Sequence, residues 1–198
     1  MNSVQLFENE IANWFGSPYA VATDCCTHAI ELSLIYNRVT KTACPTRTYL
    51  SIPMTLEKLG LEWEWSDEDW TSYYYLKDTN IIDAAVLWKQ NSYIPETLMC
   101  LSFQFQKHLS LGRGGAILCD TKNAYNHLKK MTHDGRVPGV PWKQQDVDVL
   151  GYHYYMTLET ATIMLSLITL LKLEEGTLQV LHLLIPAVYL SLINKLLV

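Results

Sequence analysis

Apolar residues recur along this chain in two periods, and the switches between them divide it into elements. Residues 7–15 carry apolar side chains at helical spacing and predict an amphipathic helix. The stretch YAVAT at 19–23 is short and apolar and reads as a strand. Helical periodicity returns over 27–36, with Cys26 and Thr27 near its start. Residues 42–45 resemble a strand end, 50–59 a helix closed by Gly60, and 61–65 another strand. Farther along, 80–85, 97–105 and 115–120 read as strands and 122–132 as an amphipathic helix. Strands alternating with helices predict an α/β fold, a three-layer αβα sandwich with a mostly parallel sheet, in which ligands sit at the carboxyl ends of strands.

After about Lys172 the composition turns leucine-rich, so the chain divides into a domain over 1–172 and a helical tail over 173–198. Within the tail, LQVLHLLIPAVYLSLINKLLV (178–198) approaches the length of a bilayer span. Gln179, His182, Pro186, Asn194 and Lys195 interrupt it, and a packed or interfacial helix is expected in place of a membrane anchor.

Composition removes whole classes of function. With 198 residues, 49% of them apolar and 18% charged, the chain can bury a sizeable core and is not a disordered segment. Its net charge of −5 contains no block of lysine and arginine, so nucleic acid is not an expected partner. Cys25, Cys26, Cys44, Cys100 and Cys119 are odd in number and scattered, which fits reduced thiols better than a disulfide framework or a zinc site. The opening MNSVQLFENE lacks the basic flank and apolar run of an export signal, and a cytoplasmic location is expected.

Candidate chemistry falls at four strand ends: Cys26-Thr27-His28, Thr48-Tyr49, Asp83, and Ser102 with Lys107. A turn entering a helix at Thr27 offers free N–H groups, a hydroxyl and a positive helix terminus, which suit a phosphate but equally an ordinary cap. Asp83 ends an apolar strand, where its charge needs a cation, such as a protonated pyridine nitrogen, or the donors of a following helix. Lys107 sits between an alternating apolar segment and glycines in SFQFQKHLSLGRGG. A partly desolvated amine there can attack a carbonyl carbon, although a lysine in a loop can also simply reach solvent. His133 and His153 are too far apart in sequence, with no acid at ligand spacing, and no metal site is expected.

Six segments in order resemble the DegT/DnrJ/EryC1/StrS family of pyridoxal-phosphate sugar aminotransferases, fold type I, across roughly residues 6–171. They are FENEIANWFGSPYAVATDCCTHAIELSL, CPTRTYLSIPMTLEKLGLEWEW, IIDAAVLW, SFQFQKHLSLGRGGAILCD, HDGR and GYHYYMTLETATI. The resemblance implies pyridoxal phosphate as cofactor, with Lys107 as its covalent anchor and catalytic base. Asp83 would sit at the pyridine nitrogen, Thr27 with the His28 N–H and Ser102 on the phosphate, and Tyr49 on the ring face. His153 stands where the family has an asparagine that reaches the partner subunit's cofactor phosphate. The chain also departs from the pattern: Val86 stands three residues after the acid where the family has Gln or His, Tyr155 replaces an arginine, and Arg113 replaces the acid between the glycines.

The resemblance implies an aminotransferase that moves an amino group, with glutamate as the expected donor, to a nucleotide-linked keto sugar for surface polysaccharide synthesis. A homodimer would complete the site. The departures motivate an alternative, a non-catalytic homologue that keeps the fold and the cofactor. A dehydratase of the same fold is the weakest reading, because relatives with that chemistry replace the lysine.

Overall fold

The computed structural model describes residues 1–110 and 112–176. The tail expected over 173–198 lies outside the described residues from 177 onward. In chain order the elements are α1 (Ser3–Phe15), β1 (Tyr19–Thr23), α2 (Cys26–Tyr36), β2 (Lys41–Pro45), α3 (Ser51–Lys58), β3 (Glu62–Ser66), β4 (Tyr74–Tyr75), β5 (Ile81–Asp83), β6 (Leu98–Ser102), β7 (Gly115–Cys119), α4 (Lys122–Thr132) and α5 (Leu158–Gly176). The expected order of elements holds, with β4 added and two strands shorter than read. The segment 97–105 leaves the sheet after Ser102, and 80–85 pairs only over three residues.

Helix α1 starts at a capping box, in which the Asn2 side chain accepts from the Gln5 N–H and the Gln5 side chain accepts from the Asn2 N–H. Its helical apolar stripe is the face it buries: Val4, Phe7, Ile11 and Phe15.

Five strands form one sheet in the order β1-β7-β6-β5-β4, and β2 pairs with β3 beside it. The sheet is mixed. Strands β5 and β6 are parallel, as are β2 and β3, but β7 runs antiparallel to both β1 and β6, and β4 antiparallel to β5. The cause is local. Among the described residues no helix lies between β6 and β7 to carry the chain back across the sheet, so the chain returns in the opposite direction. The two sheets meet where the Lys77 N–H donates to the Ala43 carbonyl at 3.0 Å and the Thr42 hydroxyl donates to the Lys77 carbonyl at 2.9 Å.

Strand period two then sorts the core into two layers. Ala20, Ala22, Ile82, Met99, Leu101, Ala116 and Leu118 pack with α1 and α5. Val21, Ile81, Leu98, Cys100, Ile117 and Cys119 turn the other way, toward α2, α3 and α4. This is the three-layer arrangement expected. The layers are tied at one edge by Glu8 of α1, buried to 2% exposure. It accepts from the Ala22 N–H at 2.8 Å, from the Lys129 ammonium and from the Tyr125 hydroxyl. Among the described residues, no helix is long and apolar enough to cross a membrane.

Candidate active site

The carboxyl ends of β5 and β6, the start of α2 and residues 104–107 and 112–114 enclose a cavity of about 220 Å³. Thr27, Tyr49, Asp83, Ser102 and Lys107 all line it, so five of the seven residues singled out from sequence come together. Cys25, Cys26, Ser51, Gln104, Gln106 and Arg113 complete most of its wall. His28 and His153 do not line it.

Asp83 is the last residue of β5 and is only 6% exposed. Its Oδ2 accepts from the Tyr74 hydroxyl at 2.7 Å and its Oδ1 from the Ala85 N–H at 3.0 Å. Burial pushes its carboxyl above the ordinary range, against those two hydrogen bonds and the nearby Lys107 charge, which pull it down. No helix follows; the Ala85 contact caps a turn, so the capping role and the cavity-facing role fall on the same side chain. Tyr74 was not among the sequence candidates. It sits directly opposite Asp83 in the β4–β5 register, is 2% exposed, and is itself hydrogen-bonded to the Thr48 hydroxyl.

At the other end of the cavity, α2 begins with Cys25 as its N-cap, whose side chain makes no capping hydrogen bond, and among the described residues no other side chain takes the first N–H groups. Thr27 is therefore not the cap. It lies one step inside the helix, with its hydroxyl 2.8 Å from that of Ser51. Two hydroxyls, the helix terminus and the open N–H groups make an anion-receiving corner. Gly115 allows this corner to exist. A Cβ there would lie 2.5 Å from the Cys25 carbonyl carbon and 2.6 Å from the Cys26 nitrogen, so β7 starts in backbone contact with α2.

Lys107 follows a turn closed by its own N–H on the Gln104 carbonyl at 2.9 Å. Among the described residues no hydrogen bond or ion pair holds its amine, which leaves it free toward the cavity it lines. Tyr49 stands at the mouth, 66% exposed.

The His28 side chain turns away from the cavity. Its Nδ1 hydrogen-bonds Asp24 Oδ1 at 2.6 Å and its ring stacks on Tyr154 at 3.6 Å. Burial opposes its charged form, but Asp24 and Cys25 outweigh that and raise it to about 9. Arg113 pairs with the other Asp24 oxygen. His153 bonds Asp134 at 3.1 Å and Tyr155 at 2.9 Å, facing His133 across an isolated antiparallel bridge. It lines a neighbouring hollow of about 310 Å³ together with Asp24 and Arg113.

The family model of the DegT/DnrJ/EryC1/StrS aminotransferases matches residues 95–179, which supports the resemblance read from the motifs. No curated protein matches the chain. Among solved structures, it is similar to 3-amino-5-hydroxybenzoic acid synthase, with 20% identity and a TM-score of 0.71 over 86% of this chain and 56% of that one. A DegT/DnrJ/EryC1/StrS aminotransferase from Brucella abortus gives 16% identity and a TM-score of 0.68, covering 86% and 59%. A candidate sugar aminotransferase from Streptococcus pneumoniae, solved in its PLP form, gives 13% identity and a TM-score of 0.68, covering 85% and 60%. The chain thus spans between 56% and 60% of the length of these three structures. It has the fold type I architecture that they share.

Proposed function

We propose that this chain is a pyridoxal-phosphate-dependent aminotransferase that passes an amino group from an amino acid to a keto sugar carried by a nucleotide. One observation carries the reading: a free lysine amine, a buried carboxylate and an uncapped helix terminus with two hydroxyls face one cavity. Pyridoxal phosphate is the cofactor that the family match indicates, and the donor set fits its three handles. Lys107 would hold the aldehyde carbon, Asp83 the pyridine nitrogen, and Thr27, the His28 N–H and Ser102 the phosphate. Tyr49, at the mouth, would cover the ring face.

When bound, the cofactor supplies an electron sink for charge that develops at the carbon losing its proton. The chain's own residues then have defined tasks. Asp83, held at both oxygens by Tyr74 and the Ala85 N–H, cannot swing away, and a cation at the pyridine nitrogen would offset the cost of its burial. Lys107, whose amine would hold the aldehyde carbon, would also be the base that takes up and returns a proton at the substrate Cα. Glutamate as donor, the nucleotide-linked sugar, surface polysaccharide synthesis and a homodimer completed by His153 extend this reading by family resemblance.

The test is the visible spectrum of the purified protein with pyridoxal phosphate. A Lys107-dependent band is expected, absent in Lys107→Ala and altered in one turnover by added glutamate. The same band in Lys107→Ala would remove that residue from its role. A band indifferent to every amino acid offered would leave a cofactor-binding protein without transfer.

A further inference from the structure

Beside the cavity, the chain gathers three donor groups of different chemistry. Asp24 and Cys25 immediately precede α2, and His28 lies in its first turn, where the helix brings a residue back over its own cap. One carboxylate oxygen, one sulfur and one ring nitrogen lie within 4.8 Å of one another. We propose that Asp24, Cys25 and His28 form a binding site for a zinc-like divalent transition-metal ion, with an open coordination position toward the cavity.

Around a tetrahedral metal, such donors stand about 3.3–3.5 Å apart, given bonds of about 2.0 Å to nitrogen and oxygen and 2.3 Å to sulfur. A metal there would open the Asp24–His28 contact from 2.6 Å and draw in the sulfur, all three donors lying within 4.8 Å of one another. The backbone that carries them is already fixed. The Asp24 N–H donates to the Tyr154 carbonyl at 2.8 Å, Arg113 Nε donates to the Asp24 carbonyl at 3.2 Å, and the Thr23 hydroxyl donates to the Cys25 carbonyl at 2.9 Å. Stacking on Tyr154 sets the plane of the imidazole, and Arg113 holds the carboxylate oxygen that faces away from His28. Outer contacts of this kind, which orient ligands, are the usual support of a metal centre.

The donor set chooses the metal class. Thiolate and imidazole suit zinc and cobalt, and one carboxylate is far short of the oxygen cage that calcium or magnesium needs. Three protein ligands leave a fourth position, and because Cys25 also lines the cavity, that position opens next to the anion-receiving corner.

Cobalt(II) titration of the cofactor-free protein tests this without any reliance on transferase activity. One equivalent per chain is expected, with a near-ultraviolet thiolate-to-cobalt charge-transfer band, and zinc should abolish the band by displacement. Cys25→Ser should lose the band, and Asp24→Asn and His28→Gln should each weaken binding at least tenfold. If a variant unfolds, alkylation of the native protein decides: zinc, but not magnesium, should slow labelling of Cys25, located by mass spectrometry, at least tenfold. Absence of the band, the same band in Cys25→Ser, or labelling of Cys25 indifferent to zinc overturns the proposal. Since no cofactor is present in any of these measurements, none of those results bears on the transferase reading.

Discussion

Gly115→Ala places a methyl group where the structure has no room for one. The added carbon would meet three backbone atoms of Cys25 and Cys26 at 2.5–2.7 Å, nearly an ångström short of the 3.4 Å at which ordinary contact begins. Neither side yields easily. Strand β7 is hydrogen-bonded to β1 on one edge and β6 on the other, and α2 is packed through Ala29, Ile30, Leu32 and Leu34. Overpacking a well-filled core costs about 1–3 kcal/mol, and a clash against backbone belongs at the upper end. Relief that shifts the start of α2 also moves Thr27 and the open N–H groups, and displacements of about 1 Å can cost up to ~100-fold at a site. Urea unfolding should therefore show a loss of about 2–3 kcal/mol, and titration with pyridoxal phosphate should show at least tenfold weaker binding. Gly112→Ala is the control. A Cβ at Gly112 meets nothing within 4 Å, and its φ of +85° costs only the local strain of a left-handed backbone, about 1 kcal/mol. If Gly115→Ala costs less than Gly112→Ala, or leaves cofactor affinity unchanged, the backbone contact between β7 and α2 is not what shapes the corner.

Three further expectations concern buried polar groups. Lys129→Met strands Glu8 without its cation and should destabilise by about 3–5 kcal/mol in urea unfolding, with most of the loss recovered by adding Glu8→Gln. Tyr74→Phe removes the hydroxyl donor to Asp83 and should weaken pyridoxal phosphate binding by about tenfold, read by absorbance titration, without abolishing the Lys107-dependent band. Burial and the neighbouring Lys129 charge hold His133 down at about 4. The unfolded chain therefore takes up this proton first as pH falls below about 6.5, and stability should drop by roughly 1–2 kcal/mol between pH 6.5 and 5, a slope that His133→Gln should flatten in urea titrations at several pH values.

What the sequence disclosed follows from the range of its signals. Helical and strand periodicities are local, so α1, β1, α2, α4 and β7 came out near their observed bounds. Lys107, Asp83, Thr27, Ser102 and Tyr49 were legible because each is a chemically conspicuous side chain at the end of an apolar run, and those ends converge. Pairing direction is not local. Nothing in YAVAT reveals that it will lie antiparallel to GAILC, so the direction of β7 was not legible. Tyr74 was hidden for a similar cause. In TSYYYL it is one tyrosine among three, and only the register against β5 gives its hydroxyl a partner. The polar triad at the start of α2 passed as a turn, because the expected zinc spacings use paired cysteines, whereas these three donors are brought together by one turn of helix.

The Thr48–Tyr74–Asp83 chain of hydroxyls has an electronic reach. Thr48 follows β2 of the small sheet, while Asp83 closes β5 of the large one. A residue in the loop after a separate sheet thus tunes how basic the buried Asp83 carboxylate can be. Substitution of Thr48, which does not line the cavity, should therefore surface first as a changed colour of added pyridoxal phosphate and only afterwards as a change in rate.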